Sequence, residues 1–495
     1  MNAPSTRIGL RVISITLVAI SFLLTWQQYS LFQKANSVYP DGSAVGEVPI
    51  SGLTRSEAEK RIRDSYDIPV EFEYQDALIQ ILPSSLGFSV NLEDMMAEAD
   101  RQVMERNRLG SFWAYLFGNS LPPFKDLPLQ YSFDLLKARQ FLQEIAIRYD
   151  LPATAPVPVP ATTSYSPGSA GYAMDVDSTL SKIETALLSL SNRSVIIPVE
   201  SVPVPIPIFD NLQIQLQQII DGTEFGGLTE VYLRDLHDGK TLHFARQSMQ
   251  NIDPGVAFTA ASSIKIPIMI STFARVSEPV PDEIQNNLQK MISVSENEPA
   301  DWLMQNVLGG NLGPVEVTED IRNLGLENTF LAGFFFMGAP LLQRIETPAN
   351  SRVDVNLNPD VYNQTVPKDM GMLLEAIFQC SENGSGLLID RFAGQITRHE
   401  CQQMVDLLKS DKLPYLITAG LPEGTPIAHK HGWIEETDGL LHTMSDSALV
   451  YSPNESYLLS VYIYHPVNLV FDSGNYLISQ LSQAVYNYFN QKQPG

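Results

Sequence analysis

The chain has 495 residues, with 32 Lys+Arg against 56 Asp+Glu and a formal net charge of −24. That length supplies two to four domains with sizeable cores, and that charge sets aside a nucleic-acid partner, because phosphate recognition needs a basic surface. Only 2 cysteines occur, Cys380 and Cys401, too few for a disulfide framework or a zinc cluster. They could pair outside the cytoplasm or remain free buried thiols, and the sequence leaves both open.

The first predicted element lies at the N-terminus. Arg7 and Arg11 precede "VISITLVAISFLLTW" (12–26), and no charge follows until Lys34. The stretch 12–33 is long enough to cross a bilayer. No A-x-A-like cleavage site follows it in "QQYSLFQKANSVYP", so it reads as an uncleaved signal anchor. Two arginines before the span, against one lysine after it, place residues 1–11 inside and the bulk of a single-pass chain outside.

Residues 37–200 form the next module, built on an internal repeat. Aligning Pro83 with Pro167 also aligns Ser85 with Ser169, Gly87 with Gly171 and Phe88 with Tyr172. Each copy ends in an amphipathic helical pattern: Leu92, Met95, Met96 and Ala99 in the first, Val176, Leu180 and Ile183 in the second. Asn91 and Asp175 suit the helix N-caps. Strand-like sequence such as "VEFEYQDALIQI" comes before the helix, so the pattern predicts two related α+β units. No cluster of catalytic residue types stands out there. A proline-rich run, "IIPVESVPVPIPIFD" (196–210), prefers an extended path, and residues 201–212 are assigned as a linker.

The chemistry falls in 213–495. "LTEVYLRDLHDGKTLHF" (228–244) predicts a hairpin turning at "HDGK". In "FTAASSIKIP" (258–267) a helix places Ser262 and Lys265 one turn apart on one face, and a lysine facing an apolar segment is costly to bury unless something uses it. "MISVSENEPADWLM" (291–304) follows. Much later "AHKHGW" (428–433) precedes two strand-like stretches, "LLHTMSDSALVYSP" and "YLLSVYIY". A sheet with flanking helices fits this order.

Ser262-x-x-Lys265, Ser295-Glu296-Asn297 and Lys430-His431-Gly432 follow the S-x-x-K, S-D-N, K-T-G order. With Phe258 and Ala261 before the serine, this domain resembles class A β-lactamases and penicillin-binding proteins. The segment "VGEVPISGLTRSEAEKRI" followed by "LGFSV" likewise resembles peptidoglycan-binding modules found outside the bacterial membrane. The resemblance implies an α+β, beta-lactamase/transpeptidase-like domain after a transmembrane helix and a tandem α+β module.

The roles follow from physics and family likeness. A serine hydroxyl is a weak nucleophile and needs an adjacent base. A desolvated Lys265 has its pKa pushed down and can accept that proton. By likeness, the backbone N–H groups of Ser262 and Trp433 would form an oxyanion hole, each donor worth roughly 3–4 kcal/mol. Ser295 would relay a proton to the leaving nitrogen, Asn297 would hold Lys265 and a substrate amide, and Lys430 would meet a substrate carboxylate. His431 and Gly432 complete the expected substrate-binding strand.

Three departures stand out. Glu296 replaces the usual aspartate, His431 replaces a hydroxyl residue, and the interval from Ser262 to Ser295 is shorter than in typical class A enzymes. His429 and His431 lack a third ligand pattern, so no metal is assigned. Class A enzymes carry a deacylating glutamate in an R-x-E-P-x-L-N loop. Arg344, Glu346 and Asn350 keep those offsets without the proline and leucine, which makes Glu346 the candidate base, with Asp354 and Asp360 behind it.

The resulting expectation is a serine hydrolase on the outer side of a bacterial cytoplasmic membrane, forming an acyl-enzyme on Ser262 and hydrolysing a β-lactam amide without a cofactor. The alternatives are a D-alanyl-D-alanine carboxypeptidase acting on peptidoglycan stem peptides, and a sensor that acylates and stalls. Its partners would be the β-lactam or stem peptide, the cell wall through the 37–200 module, and the membrane through one helix.

Overall fold

The computed structural model describes residues 5–205 and 207–491, and the chain falls into two compact units. The first is Met1–Ala153 with Ala170–Pro203; the second is Thr154–Ser169 with everything from Val204 on.

In the first unit Ser5–Ala35 is a single helix, and its part Gly9–Ala35 is long and apolar enough to cross a membrane. Beyond it lie short strands and capped helices. Helix Arg55–Tyr66 opens with a capping box, in which the Glu57 carboxylate accepts from the Thr54 N–H at 2.9 Å. Asn91 caps Leu92–Arg106 and Asp175 caps Val176–Leu188, each through the N–H three residues on. The strand Val70–Tyr74 pairs antiparallel with Ala77–Ile81 and parallel with Ser194–Ile196. The two repeat halves therefore share one sheet, over a core that includes Phe72, Met96, Leu142 and Ile183.

The second unit is built on six antiparallel strands: β1 (Leu228–Asp235), β2 (Thr241–Gln247), β3 (Gln250–Ile252), β4 (Ile427–Glu435), β5 (Leu441–Tyr451) and β6 (Ser456–Tyr464). Their order is β3-β2-β1-β6-β5-β4, which leaves β4 at one edge. The first hairpin turns at the anticipated residues, with Asp235 accepting from the His237 N–H at 2.7 Å. Strands β1, β5 and β6 are buried along nearly their whole length because helices cover both faces. On one face Ala428, Leu449, Leu458 and Tyr462 meet Ile266, Met269, Met370 and Met404. On the other, Val231, Val461 and Ile463 meet the helices Phe209–Gly222 and Phe471–Phe489 through Leu216, Leu481 and Val485. The architecture is α+β, an antiparallel sheet with flanking helices.

Two features differ from the boundaries read in the sequence. Residues 154–169 form a small hairpin (Val157–Pro158 against Tyr165–Ser166) that packs with the second unit. Gln215 Nε2 donates to the carbonyls of Thr162 and Ser164 at 2.8 and 3.2 Å, and Asn487 Nδ2 donates to the Thr163 carbonyl at 2.7 Å. Helix Phe209–Gly222 also begins inside the stretch assigned as linker. Cys380 and Cys401 form a disulfide joining helices Pro367–Asn383 and Arg398–Lys409. A cross-link over 21 positions contributes about 3 kcal/mol by the chain-entropy account.

Candidate active site

The site is assembled where a helix start meets the free edge of the sheet. The strand Phe258–Thr259 pairs with Asn363–Thr365, and Ala261 then takes a left-handed φ of 47°, an unfavourable conformation for alanine. A 3₁₀ turn, Ala261–Ile264, leads into helix Lys265–Phe273.

The sequence offers two adjacent serines, and their surroundings separate them. Ser263 is fully buried; its hydroxyl donates to the Ala260 carbonyl at 2.7 Å and accepts from the Tyr462 hydroxyl at 2.8 Å. Ser262 is only partly buried, and its Oγ lies 3.0 Å from Lys265 Nζ. Of the two, Ser262 is the hydroxyl open to a substrate.

Lys265 is completely buried. Its Nζ reaches the Ser295 carbonyl at 2.5 Å, Asn297 Oδ1 at 2.8 Å and Ser295 Oγ at 3.3 Å. A neutral amine has two N–H donors and one lone pair. The Ser295 carbonyl and Asn297 Oδ1 match the donors, and the lone pair is left for the Ser262 O–H. Burial, reinforced by the positive charge of Lys430, pushes Lys265 down to about 7. Ser295 sits at a left-handed φ of 60°, a strained conformation that turns both its carbonyl and its hydroxyl to Lys265. The Phe335 ring lies 5.4 Å from Nζ, and the Asp301 carboxylate holds that segment by accepting from the Phe335 N–H at 2.8 Å.

The edge strand β4 supplies the other wall. A Cβ at Gly432 would stand 2.7 Å from the Ala260 carbonyl and 3.0 Å from the Ser263 N–H, so only glycine lets β4 approach the serine turn this closely. Lys430 and Gly432 pair with Ser447 and Ser445 on one face; His431 pairs with Asp446 on the other. Lys430 is fully buried and its Nζ lies 3.2 Å from Asp411 Oδ2, while His431 Nδ1 lies 2.9 Å from the same oxygen. Asp411 thus reaches side chains from both faces of β4, which requires it to lie off the strand's free edge. Burial alone would raise its carboxyl, but His431, Lys430 and His429 outweigh burial and hold it at about 2. Burial lowers Lys430, and Asp411 opposes this. His431 stacks on Trp433 at 4.6 Å. His429 faces Asp446 at 3.1 Å, and its Nε2 has no partner among the described residues.

The structure therefore brings together Ser262, Lys265, Ser295 and Asn297, with Gly432 against them and Lys430 buried in the same strand. Glu346 is exposed and, among the described residues, hydrogen-bonds to neither Ser262 nor Lys265. Its loop is fastened through Asn350, whose Nδ2 donates to the Ile345 carbonyl at 3.1 Å and to Gln364 Oε1 at 2.9 Å. Asp354 is ion-paired with Arg352, and Asp360 accepts from the Tyr362 N–H and Asn363 Nδ2. Among the described residues no group of three or more His, Cys, Asp or Glu could hold a metal ion. Sequence reasoning missed Asp411, Asp301 and Phe335. None sits in a recognisable motif, and only the charge of a buried lysine signals that a partner such as Asp411 must exist.

Residues 283–489 match the model of the Beta-lactamase enzyme family. Among solved structures the chain is similar to PBP-A in an acyl-enzyme complex with penicillin G, at 24% identity over 58% of this chain and 99% of that one, with a TM-score of 0.41. It is also similar to an ancestral class A β-lactamase (20% identity, 56% and 100% covered, TM-score 0.40) and to the TLA-1 extended-spectrum β-lactamase (16%, 56% and 98%, 0.41). No curated protein matches. The family match includes Ser295, Asn297 and Lys430 and starts beyond Ser262, so the serine–lysine pair stands on its own geometry. By that match, residues 283–489 of the second unit are similar to the Beta-lactamase enzyme family.

Proposed function

We propose that the chain is a membrane-anchored, extracytoplasmic serine hydrolase that opens a β-lactam amide through an acyl-enzyme on Ser262. The observation that carries this is Lys265, buried and lowered to about 7 with its Nζ 3.0 Å from Ser262 Oγ. In the first step the neutral amine takes the Ser262 proton as Oγ adds to the amide carbon. The developing oxyanion is held by the N–H groups of Ser262 and Trp433. The proton passes from Lys265 through Ser295 to the ring nitrogen as the C–N bond breaks, which leaves an ester on Ser262. Lys430 meets the substrate carboxylate, His431 stands where the family has a hydroxyl residue and alters that recognition, and Asn297 holds a substrate amide. Water, activated by Glu346, then hydrolyses the ester.

The disulfide supports an oxidising compartment, and Gly9–Ala35 supports an anchor.

One observation favours a second reading for the last step. The hydrogen-bond partners of Lys265 include no carboxylate, and the Phe335 ring closes over the amine. An enzyme so arranged acylates readily and deacylates slowly, as suits a D-alanyl-D-alanine carboxypeptidase on peptidoglycan stem peptides or a sensor.

The test is rapid-quench mass spectrometry of the full chain with a chromogenic cephalosporin, beside Ser262→Ala and Glu346→Gln. Steady turnover that vanishes in both variants supports the first reading. A persistent adduct on Ser262, unaffected by Glu346→Gln, supports the second, and no adduct on the parent chain sinks both.

A further inference from the structure

From Leu109 to Phe124 the sequence "LGSFWAYLFGNSLPPF" holds no charge, with Arg108 before it and Lys125 after it. Its first half is the helix Leu109–Leu116. One side of that helix is satisfied. Phe112 is buried and sits edge-on to Tyr29 and Phe32 at 5.1 and 5.5 Å, and Tyr115 lies 5.3 Å from Phe32. The other side is not. Leu109 is 68% exposed, Trp113 49% and Phe117 75%, and with Leu116 they fall at i, i+4, i+7 and i+8 on one continuous face. A contiguous apolar stripe of this kind marks a surface that something covers.

The helix it leans on says what that is. Counted from Val12, a bilayer core needing about 20 residues ends near Leu31. Trp26, Tyr29 and Phe32 then stand at the outer boundary, the depth at which aromatic side chains concentrate in membrane proteins. The helix Leu109–Leu116 is packed at that level. Phe22, Trp26 and Tyr29 with Leu109, Phe112 and Trp113 line an open apolar hollow of about 200 Å³, a shape that an acyl chain fills. Lys34, Arg108 and Lys125 are exposed at the ends of these apolar segments, where lipid phosphates would meet them. Asn107 Nδ2 donates to the Asn36 carbonyl at 3.4 Å and ties the two segments at the polar end.

We propose that Leu109–Phe117 is an interfacial membrane segment, inserted into the outer leaflet beside the span with Leu109, Trp113, Leu116 and Phe117 toward the acyl chains. This rests on reading Gly9–Ala35 as a bilayer span. The surface continues that span sideways and makes the attachment of the first unit two-pronged.

The test uses the full chain in nanodiscs of phosphatidylethanolamine and phosphatidylglycerol. Single nitroxides are placed by Trp113→Cys and Phe117→Cys, with Met104→Cys as an aqueous reference and Leu17→Cys as a lipid reference. Cys380 and Cys401 are joined and stay silent. Power saturation should give oxygen-over-nickel accessibility ratios at 113 and 117 several-fold above that at 104. Ratios at 113 and 117 equal to that at 104, with 17 still in lipid, overturn the proposal and leave the span intact. An aqueous reading at 17 removes the span itself. Dipolar broadening between labels on neighbouring chains would put a second copy on this face, which also overturns the proposal.

Discussion

Among the described residues the second unit buries Lys265 and Lys430 completely and treats them in opposite ways. Lys265 has neutral partners only: two serine oxygens, a carbonyl and an amide. Lys430 has a carboxylate, Asp411, at 3.2 Å. Burial penalises both, but in one case nothing anionic bonds to the amine and it falls to about 7, while in the other Asp411 opposes the fall. One residue type at one degree of burial is thus left without an anion or given one, according to a single neighbour. The positive charge of Lys430 also contributes to the lowering of Lys265, so the two roles are linked.

The largest expected effect separates the two lysines by substitution. Lys265→Met should slow acylation roughly a thousandfold, the scale of a lost general base, with the fold retained, since it removes a desolvated amine. Lys430→Met strands Asp411 and should cost about 3 kcal/mol of stability as well. Acylation rates and urea midpoints measured on both variants check this; an equal stability loss in the two would erase the distinction.

Asp411→Asn should be nearly as damaging, at about 3 kcal/mol, because it leaves Lys430 buried without its anion. If urea unfolding finds the variant as stable as the parent, Asp411 is not the partner that keeps Lys430 charged.

Next comes the brace. Helix Arg398–Lys409, held by the disulfide, ends just before Asp411. Cys380→Ser with Cys401→Ser should lower stability by about 3 kcal/mol and leave the acylation rate of the folded protein unchanged. A slowed rate would show that the cross-link also sets where Asp411 stands.

The smallest effect is in pH. Asp411 has a folded pKa of about 2 against an ordinary 3.8, so it contributes stability above pH 4, on the order of 2 kcal/mol, that disappears as pH falls toward 2. Lys265 has the opposite sign. Its folded pKa is depressed, the unfolded chain binds more protons between pH 7 and 10.5, and stability rises with pH across that interval. Acylation should rise through about pH 7 as the amine loses its proton. Unfolding and acylation profiles that move together would contradict the separation.

These features were unevenly legible in the sequence. The Ser262–Lys265 spacing and the hairpin at "HDGK" were readable because they are local: one helical turn, one tight turn between two strands. What secures Ser263 was not, since the Tyr462 hydroxyl from which it accepts arrives from the far end of the chain. Asp411 was hidden for the same reason, a loop aspartate whose meaning appears only when β4 comes alongside. Glu346 is legible as an offset from Arg344 and Asn350, and its side chain is exposed in that loop. The 154–169 hairpin went unread because two-residue strands flanked by prolines have no period to detect.

That hairpin has a topological consequence. Both of its ends continue into the first unit, so the chain passes from one unit to the other at Ala153, at Ser169 and again at Pro203. A single proteolytic nick in the proline-rich run leaves the units covalently tied by two remaining connections. A fragment beginning at Val204 would lack the segment that satisfies Gln215 and Asn487. The second unit is not a tail that can be clipped from the end of the chain; its sequence is interrupted by residues 170–203 of the first.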